Sequence, residues 1–220
     1  MLHFDELFSI AAGRHGGAEA LDAKLMRPTP TAELAQMPED RWLSILTKSI
    51  FQAGFNWKVI ENKWDGFEIA FDGFNPDRCA MMDDEKFDAL LQDTRIVRNG
   101  TKINAVRDNA VFLTELRVEG GAGQVLGGWP SEDFIGLLAL LKSRGSRLGG
   151  TTAQYAMRFA GRDSFILSRD VTARLVAEGV IDKPATSKSA MKAVQGAFNT
   201  WMDQSGRSLT EVSRVLAMSV

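Results

Sequence analysis

Residues 148–170, LGGTTAQYAMRFAGRDSFILSRD, place a glycine turn, a short apolar helix and a carboxylate in succession. The turn is Gly149-Gly150-Thr151-Thr152. Glycine carries no Cβ, so a backbone of this composition lets its N–H groups approach a phosphate closely. From Ala153 to Phe159 the apolar residues recur with helical rather than alternating spacing, and Gly161 is placed to end that helix. Asp170 stands just before a second helical run, Val171 to Leu175, as a candidate N-cap. The same stretch also has a plain interpretation as a turn between packed helices followed by a capping aspartate.

The flanking chain has the same helical character. Upstream, Ser131 is expected to cap a helix through Phe134, Leu137, Leu138 and Leu141 that ends near Arg144-Gly145. With the glycine turn and the next helix this makes a helix–hairpin–helix. Asp40 is expected to cap a helix from Arg41 to about Gln52, on which Trp42, Ile45, Leu46, Ser49 and Ala53 share a stripe. Gly54 ends it, and Asn56-Trp57 begins the next. Asn75 with Pro76 at N1, and Asp83 or Asp84, start two more. The pair Asn99-Gly100 could make a hairpin turn, but Ile103, Val106, Ala110 and Leu113 form a helical stripe, which points to a helix–turn–helix. Thr31 is a possible cap for residues 32–36, Ser187 for the helix through Trp201, and Ser208-Leu209-Thr210-Glu211 has capping-box spacing. The five glycines in the nine positions from Gly120 to Gly128 are expected to form a linking loop. No strand signal emerges. The fold class is therefore all-α, with an N-terminal segment (1–40) packed on the C-terminal lobe, a helical lobe (41–120) and a lobe carrying the helix–hairpin–helix (129–220).

The 220 residues are 45% hydrophobic and 25% charged, the balance of an ordinary globular chain. One cysteine excludes an internal disulfide framework and fits a reducing compartment. No apolar run approaches the roughly 20 residues of a bilayer span. The acidic start MLHFDELFSI is not a secretory signal, so a cytoplasmic location is the expectation. A net charge of −2 does not advertise a nucleic-acid binder. Two basic clusters stand out against it, Lys142, Arg144 and Arg147 before the glycine turn and Arg95, Arg98, Lys102 and Arg107 earlier. Each also fits a solvated face.

Most chemistry-bearing patterns are missing. His3, His15 and Cys79 have no metal-ligand spacing. There is no Walker loop, nucleophile elbow or dinucleotide fingerprint, so no metal or cofactor is expected.

Several ordered blocks are similar to the DNA-3-methyladenine glycosylase I family. They are Gln52-Ala53-Gly54-Phe55-Asn56-Trp57, Ala70-Phe71 with Phe74-Asn75-Pro76, Ile96-Val97-Arg98-Asn99 with Lys102-Ile103 and Asn109-Ala110, and Gly150-Thr151-Thr152 with Tyr155. The resemblance implies a helix–hairpin–helix DNA glycosylase fold, two helical lobes flanking a base-binding pocket. It implies a monofunctional enzyme of base excision repair that flips out alkylated purines such as 3-methyladenine and hydrolyses their N-glycosidic bond. Trp57 would stack on the flipped base, where a π face favours a cation. Phe55, Asn56 and Gln52 would shape or read its edges. Arg98, Lys102, Arg147, Gly149, Gly150, Thr151 and Thr152 would hold double-stranded DNA. No protein partner is implied.

Two features depart from the family pattern. Ser49 stands where the family usually has a pocket glutamate, which implies a shifted or broader substrate range. The Cys and His residues of the family's zinc site are absent. Asp170 falls where the wider superfamily places its catalytic aspartate, and Thr151 where bifunctional members place a lysine nucleophile. The alternatives are a non-catalytic DNA-binding or lesion-sensing protein with the same fold, or a helical interaction protein in which Trp57 is core.

Overall fold

A computed structural model describes all of residues 1–220 and contains fourteen α-helices joined by turns and short 3-10 and π segments, with no strand. The all-α expectation holds. Contacts divide the chain into two compact units, residues 1–29, 130–136 and 161–220 in the first and 30–129 and 137–160 in the second.

The first unit contains α1 (Phe4–His15), α2 (Ala18–Asp22), α12 (Arg169–Ala177), α13 (Lys188–Ser205) and α14 (Leu209–Met218). Phe165 stacks on Phe198 with centroids 4.8 Å apart, and Phe134 meets Phe165 edge-on at 5.0 Å. These rings are fully buried with Trp201. Hydrogen bonds fasten both chain ends to this core. The Leu2 amide donates to Glu178 Oε2 at 2.7 Å, Trp201 Nε1 donates to the Leu2 carbonyl at 3.1 Å, and Arg174 Nε donates to Ser219 Oγ at 2.8 Å.

The second unit contains α3 (Thr31–Ala35), α4 (Glu39–Gln52), α5 (Trp57–Asn62), α6 (Trp64–Ala70), α7 (Pro76–Ala80), α8 (Asp84–Gln92), α9 (Gly100–Glu115) and α11 (Thr151–Phe159). The boundary between the units falls inside α10 (Phe134–Arg144). Helix α4 is its centre and packs on both α9 and α11. Residues 137–160 thus group with residues 30–129, where the sequence-based division at 129 keeps them with the C-terminal lobe.

Several caps stand as expected. Asn75, Asp83, Ser187 and Ser208 each accept from a backbone amide in the first turn of the following helix, and Asn99, not expected as a cap, does the same for α9. The Asn99 cap removes the hairpin-turn alternative.

Three expected caps are not caps. Helices α3 and α4 and the 3-10 turn Ser131–Asp133 begin at Pro30, Pro38 and Pro130, so Thr31, Asp40 and Ser131 lie inside the first turn. Proline holds φ near −60° in extended backbone and lets the next residue turn helical without needing a side-chain cap. Glu39 and Asp40 then act on the α4 dipole from within. Asp170 is likewise not the cap of α12, because Ser168 Oγ accepts from the Val171 amide at 3.2 Å.

The Gly120–Gly128 stretch is not a plain loop either. Gly123–Gly127 forms a π-helical turn against α3. A Cβ on Gly123 would lie 2.5 Å from the Ala35 carbonyl oxygen, so glycine there is a packing requirement.

Candidate functional site

The C-terminal turn of α4, the junction to α5 and the first turns of α11 enclose a cavity of about 210 Å³. It is smaller than the ~300–1,000 Å³ of drug-sized ligand sites and suits a single flat base. Every lining residue belongs to the second unit. Ser49 and Gln52 lie three apart on α4 and so share a face. Phe55 and Trp57 come from the junction, and Thr151, Thr152 and Tyr155 from α11. No carboxylate lines the cavity.

The junction exposes aromatic surface for an architectural reason. Ala53 leaves the helix in extended backbone, Gly54 adopts a φ of 74°, and Asn56 restarts the helix as N-cap. Phe55 and Trp57 therefore stand 40% and 39% exposed, whereas a core tryptophan such as Trp42 is 0% exposed. Trp57 is not core. Tyr155 and Phe159 hold it edge-on, with centroids 5.1 and 5.7 Å away.

The polar atoms of the wall differ in what they can offer. Ser49 Oγ donates back to the Ile45 carbonyl at 3.0 Å, so its hydrogen is engaged within α4. Gln52 is buried, and its Oε1 has no partner. Asn56 does not line the cavity: its Oδ1 accepts from the Lys58 amide at 3.0 Å, which commits that atom to capping.

Lys102 is misplaced by the sequence reading. It was expected to hold DNA, yet it is only 4% exposed. Its Nζ donates to the carbonyls of Phe51 at 3.1 Å and Ala53 at 2.7 Å, and it lies 4.4 Å from the centroid of the Phe55 ring. It closes the C-terminal end of α4, where free carbonyls and the dipole favour a cation. Burial pushes its ammonium below the usual lysine range, and the like charge of Arg147 adds to the effect.

The other basic residues sort into paired and unpaired. Arg95 is paired with Asp93 at 2.7 Å and Arg144 with Glu119 at 2.6 Å. Arg98, Lys142 and Arg147 are exposed, and none takes part in an ion pair. Arg147 has a φ of 59°, and Gly150 sits at φ 57°, ψ −136°, a conformation suited to glycine. Thr151 and Thr152 open α11 with the first amides of a helix, donors without intrahelical partners. Asp170 is exposed in the first turn of α12 and belongs to the first unit.

Sequence reasoning grouped Ser49, Gln52, Phe55, Asn56 and Trp57, of which all but Asn56 line the cavity. It placed Tyr155 only within a motif and missed Phe159, although its spacing from Tyr155, i to i+4, was a usable signal.

Residues 35–125 match the family model for methyladenine glycosylase. This region contains the blocks from Gln52 to Ala110; the glycine turn, Tyr155 and Asp170 lie outside it. The curated relative DNA-3-methyladenine glycosylase 1 of Escherichia coli (strain K12) is 32% identical over 69 residues, 31% of this chain and 37% of that protein. The chain thus matches little more than a third of that relative's length. Among solved structures, 3-methyladenine DNA glycosylase I from Staphylococcus aureus, described for its recognition of 3-methyladenine, is 21% identical. It has a TM-score of 0.48 and covers 56% of this chain and 76% of that one. Another 3-methyladenine DNA glycosylase I is 24% identical with a TM-score of 0.47, covering 66% and 87%.

Proposed function

We propose that this chain, which matches the methyladenine glycosylase family over residues 35–125, is a monofunctional DNA glycosylase of base excision repair. Its substrate is double-stranded DNA with an alkylated purine, 3-methyladenine being the first candidate. The observation that carries this reading is the base-sized cavity at the Gln52–Trp57 junction, walled by Phe55 and Trp57 and bordered by the first turn of α11.

In this reading α10, the glycine turn and α11 form the helix–hairpin–helix. The free amides of Thr151 and Thr152 and the side chains of Arg98 and Arg147 hold phosphates. Extruding the nucleotide costs a few kcal/mol of unstacking, and stacking on Trp57 offsets it. A ring-alkylated purine in DNA is cationic, so its glycosidic bond is weak and little general acid is needed. That matches a cavity without a carboxylate. Asp170 is the proposed catalytic residue, stabilising the oxocarbenium-like sugar and orienting water. Its support is its sequence interval from Ala153. Thr151 offers no amine for a Schiff base, which favours a monofunctional enzyme. We place the activity in the cytoplasm; no helix is long and apolar enough to cross a membrane.

A second reading, a lesion-sensing protein without catalysis, is favoured by the same absence of a carboxylate from the cavity. Release of free base from alkylated duplex DNA separates the two readings. A gel shift with a duplex carrying an abasic-site analogue separates both from a protein that does not bind DNA.

A further inference from the structure

The expectation that aromatic walls favour a cationic base meets an obstacle in the charges around this cavity. None of its lining residues is acidic. Phe55 has the Lys102 ammonium 4.4 Å from its ring centroid, so its π system already serves a cation. Lys102 is buried, which leaves its field poorly screened by solvent. No carboxylate pairs with it; its two hydrogen-bond partners are the neutral carbonyls of Phe51 and Ala53. What acts on it besides burial is the like charge of Arg147. A base-centred cation in this cavity therefore has an unpaired lysine behind one wall and no anion facing it.

We infer that Lys102 is a positioning residue that, through Phe55 and its own buried charge, makes the cavity favour a neutral base over a cationic one. The inference rests on reading the cavity as a base pocket. Its consequence is catalytic in sign. A ring-alkylated purine enters the cavity as a cation. When the C1′–N9 bond breaks, both bonding electrons go to the base, which leaves neutral, and the positive charge passes to the sugar. A water oxygen then bonds to C1′ and its proton goes to solvent. A field hostile to the cation and indifferent to the neutral product raises the bound state relative to the transition state, which accelerates departure. The same lysine holds Phe51 and Ala53 and so fixes the junction that carries Phe55. Loss of the charge and loss of the hold have different signatures.

The test uses two duplexes, one with 3-methyladenine and one with its neutral isostere bearing carbon at ring position 3. Binding is measured for both and single-turnover base release for the first. The wild-type protein is expected to bind the neutral isostere at least as tightly as the cation. Lys102→Met, and Lys102→Gln as a variant that retains a hydrogen-bond donor, are expected to bind the cationic lesion roughly tenfold more tightly and to release its base roughly tenfold more slowly. Tighter binding with slower release is an outcome that mere structural damage does not produce. Wild-type preference for the cation by tenfold, or variants that lose affinity and rate together while base release by the wild type is intact, overturns the role of Lys102 alone. If the wild-type protein binds neither lesion duplex better than undamaged DNA, the base-pocket reading fails, and this inference with it.

Discussion

The ammonium of Lys102 lies 2.7 Å from the carbonyl oxygen of Ala53, 49 residues away in sequence, and ties the start of α9 to the end of α4. This bond makes the Gln52–Trp57 junction a fixed wall, because the helix ends where the lysine caps it. Lys102→Met leaves two carbonyls without their donor, and we expect a loss of about 1–3 kcal/mol in urea denaturation at neutral pH. The pH dependence has a definite sign. The folded-state pKa lies below that of the unfolded chain, so between the two values the unfolded state binds more protons. Wild-type stability relative to the variant should therefore rise with pH through that window, up to the ordinary lysine value near ~10.4.

Glu68 on α6 accepts from Arg41 at 2.9 and 3.0 Å and from Ser44 at 2.8 Å. Burial pushes its carboxyl up, but the hydrogen bonds from Arg41 and Ser44 outweigh burial and hold it below the usual range. Its contribution is thus present above the ordinary value of ~4.3 and is lost as pH falls through the lower folded-state value. We expect Glu68→Gln to destabilise by about 1–2 kcal/mol at pH ~7, a cost kept modest because Arg41 is half-solvated, and the gap to close in acid. Chemical denaturation across pH measures both.

Gly123 sits under α3, where a Cβ would fall 2.5 Å from the Ala35 carbonyl and 2.9 Å from that of Leu34. Both contacts are backbone, so no side chain can move aside. Gly123→Ala should cost about 1–3 kcal/mol or more, read as a lowered Tm. Gly149→Ala, with open space at its Cβ, should leave Tm nearly unchanged.

Trp57 is half-exposed and held edge-on by Tyr155 and Phe159. If it stacks on the extruded base, Trp57→Ala should weaken lesion-duplex binding roughly 10- to 100-fold, from a stacking contribution of about 1–3 kcal/mol. Binding to undamaged duplex should change little. Equal losses on both duplexes would place Trp57 in general DNA contact instead.

The helices were legible because their signals are local. Asn75, Ser187 and Ser208 cap within four residues, and the α9 stripe repeats every turn. Boundaries failed at Asp40 and Ser131, where a proline just upstream begins the helix and outranks the polar residue after it. The aromatic wall was legible as a motif, since Gly54 and Asn56 announce the break that exposes Phe55 and Trp57. Lys102 was not legible. The residues just before it, Arg98, Asn99 and Thr101, are basic or polar, and only packing of α9 on α4 brings it to the carbonyls it caps. The role of Gly123 was hidden for the same reason: the segment it packs against, around Leu34 and Ala35, is remote in sequence.

Release of free 3-methyladenine from a methylated duplex, resolved by chromatography under single-turnover conditions, tests the central claim most directly. The account predicts release well above spontaneous depurination, lost in Asp170→Asn while lesion-duplex binding persists, and reduced in Trp57→Ala. Tight binding of the lesion duplex with no release above the protein-free control would contradict it and leave a lesion-binding protein without catalysis.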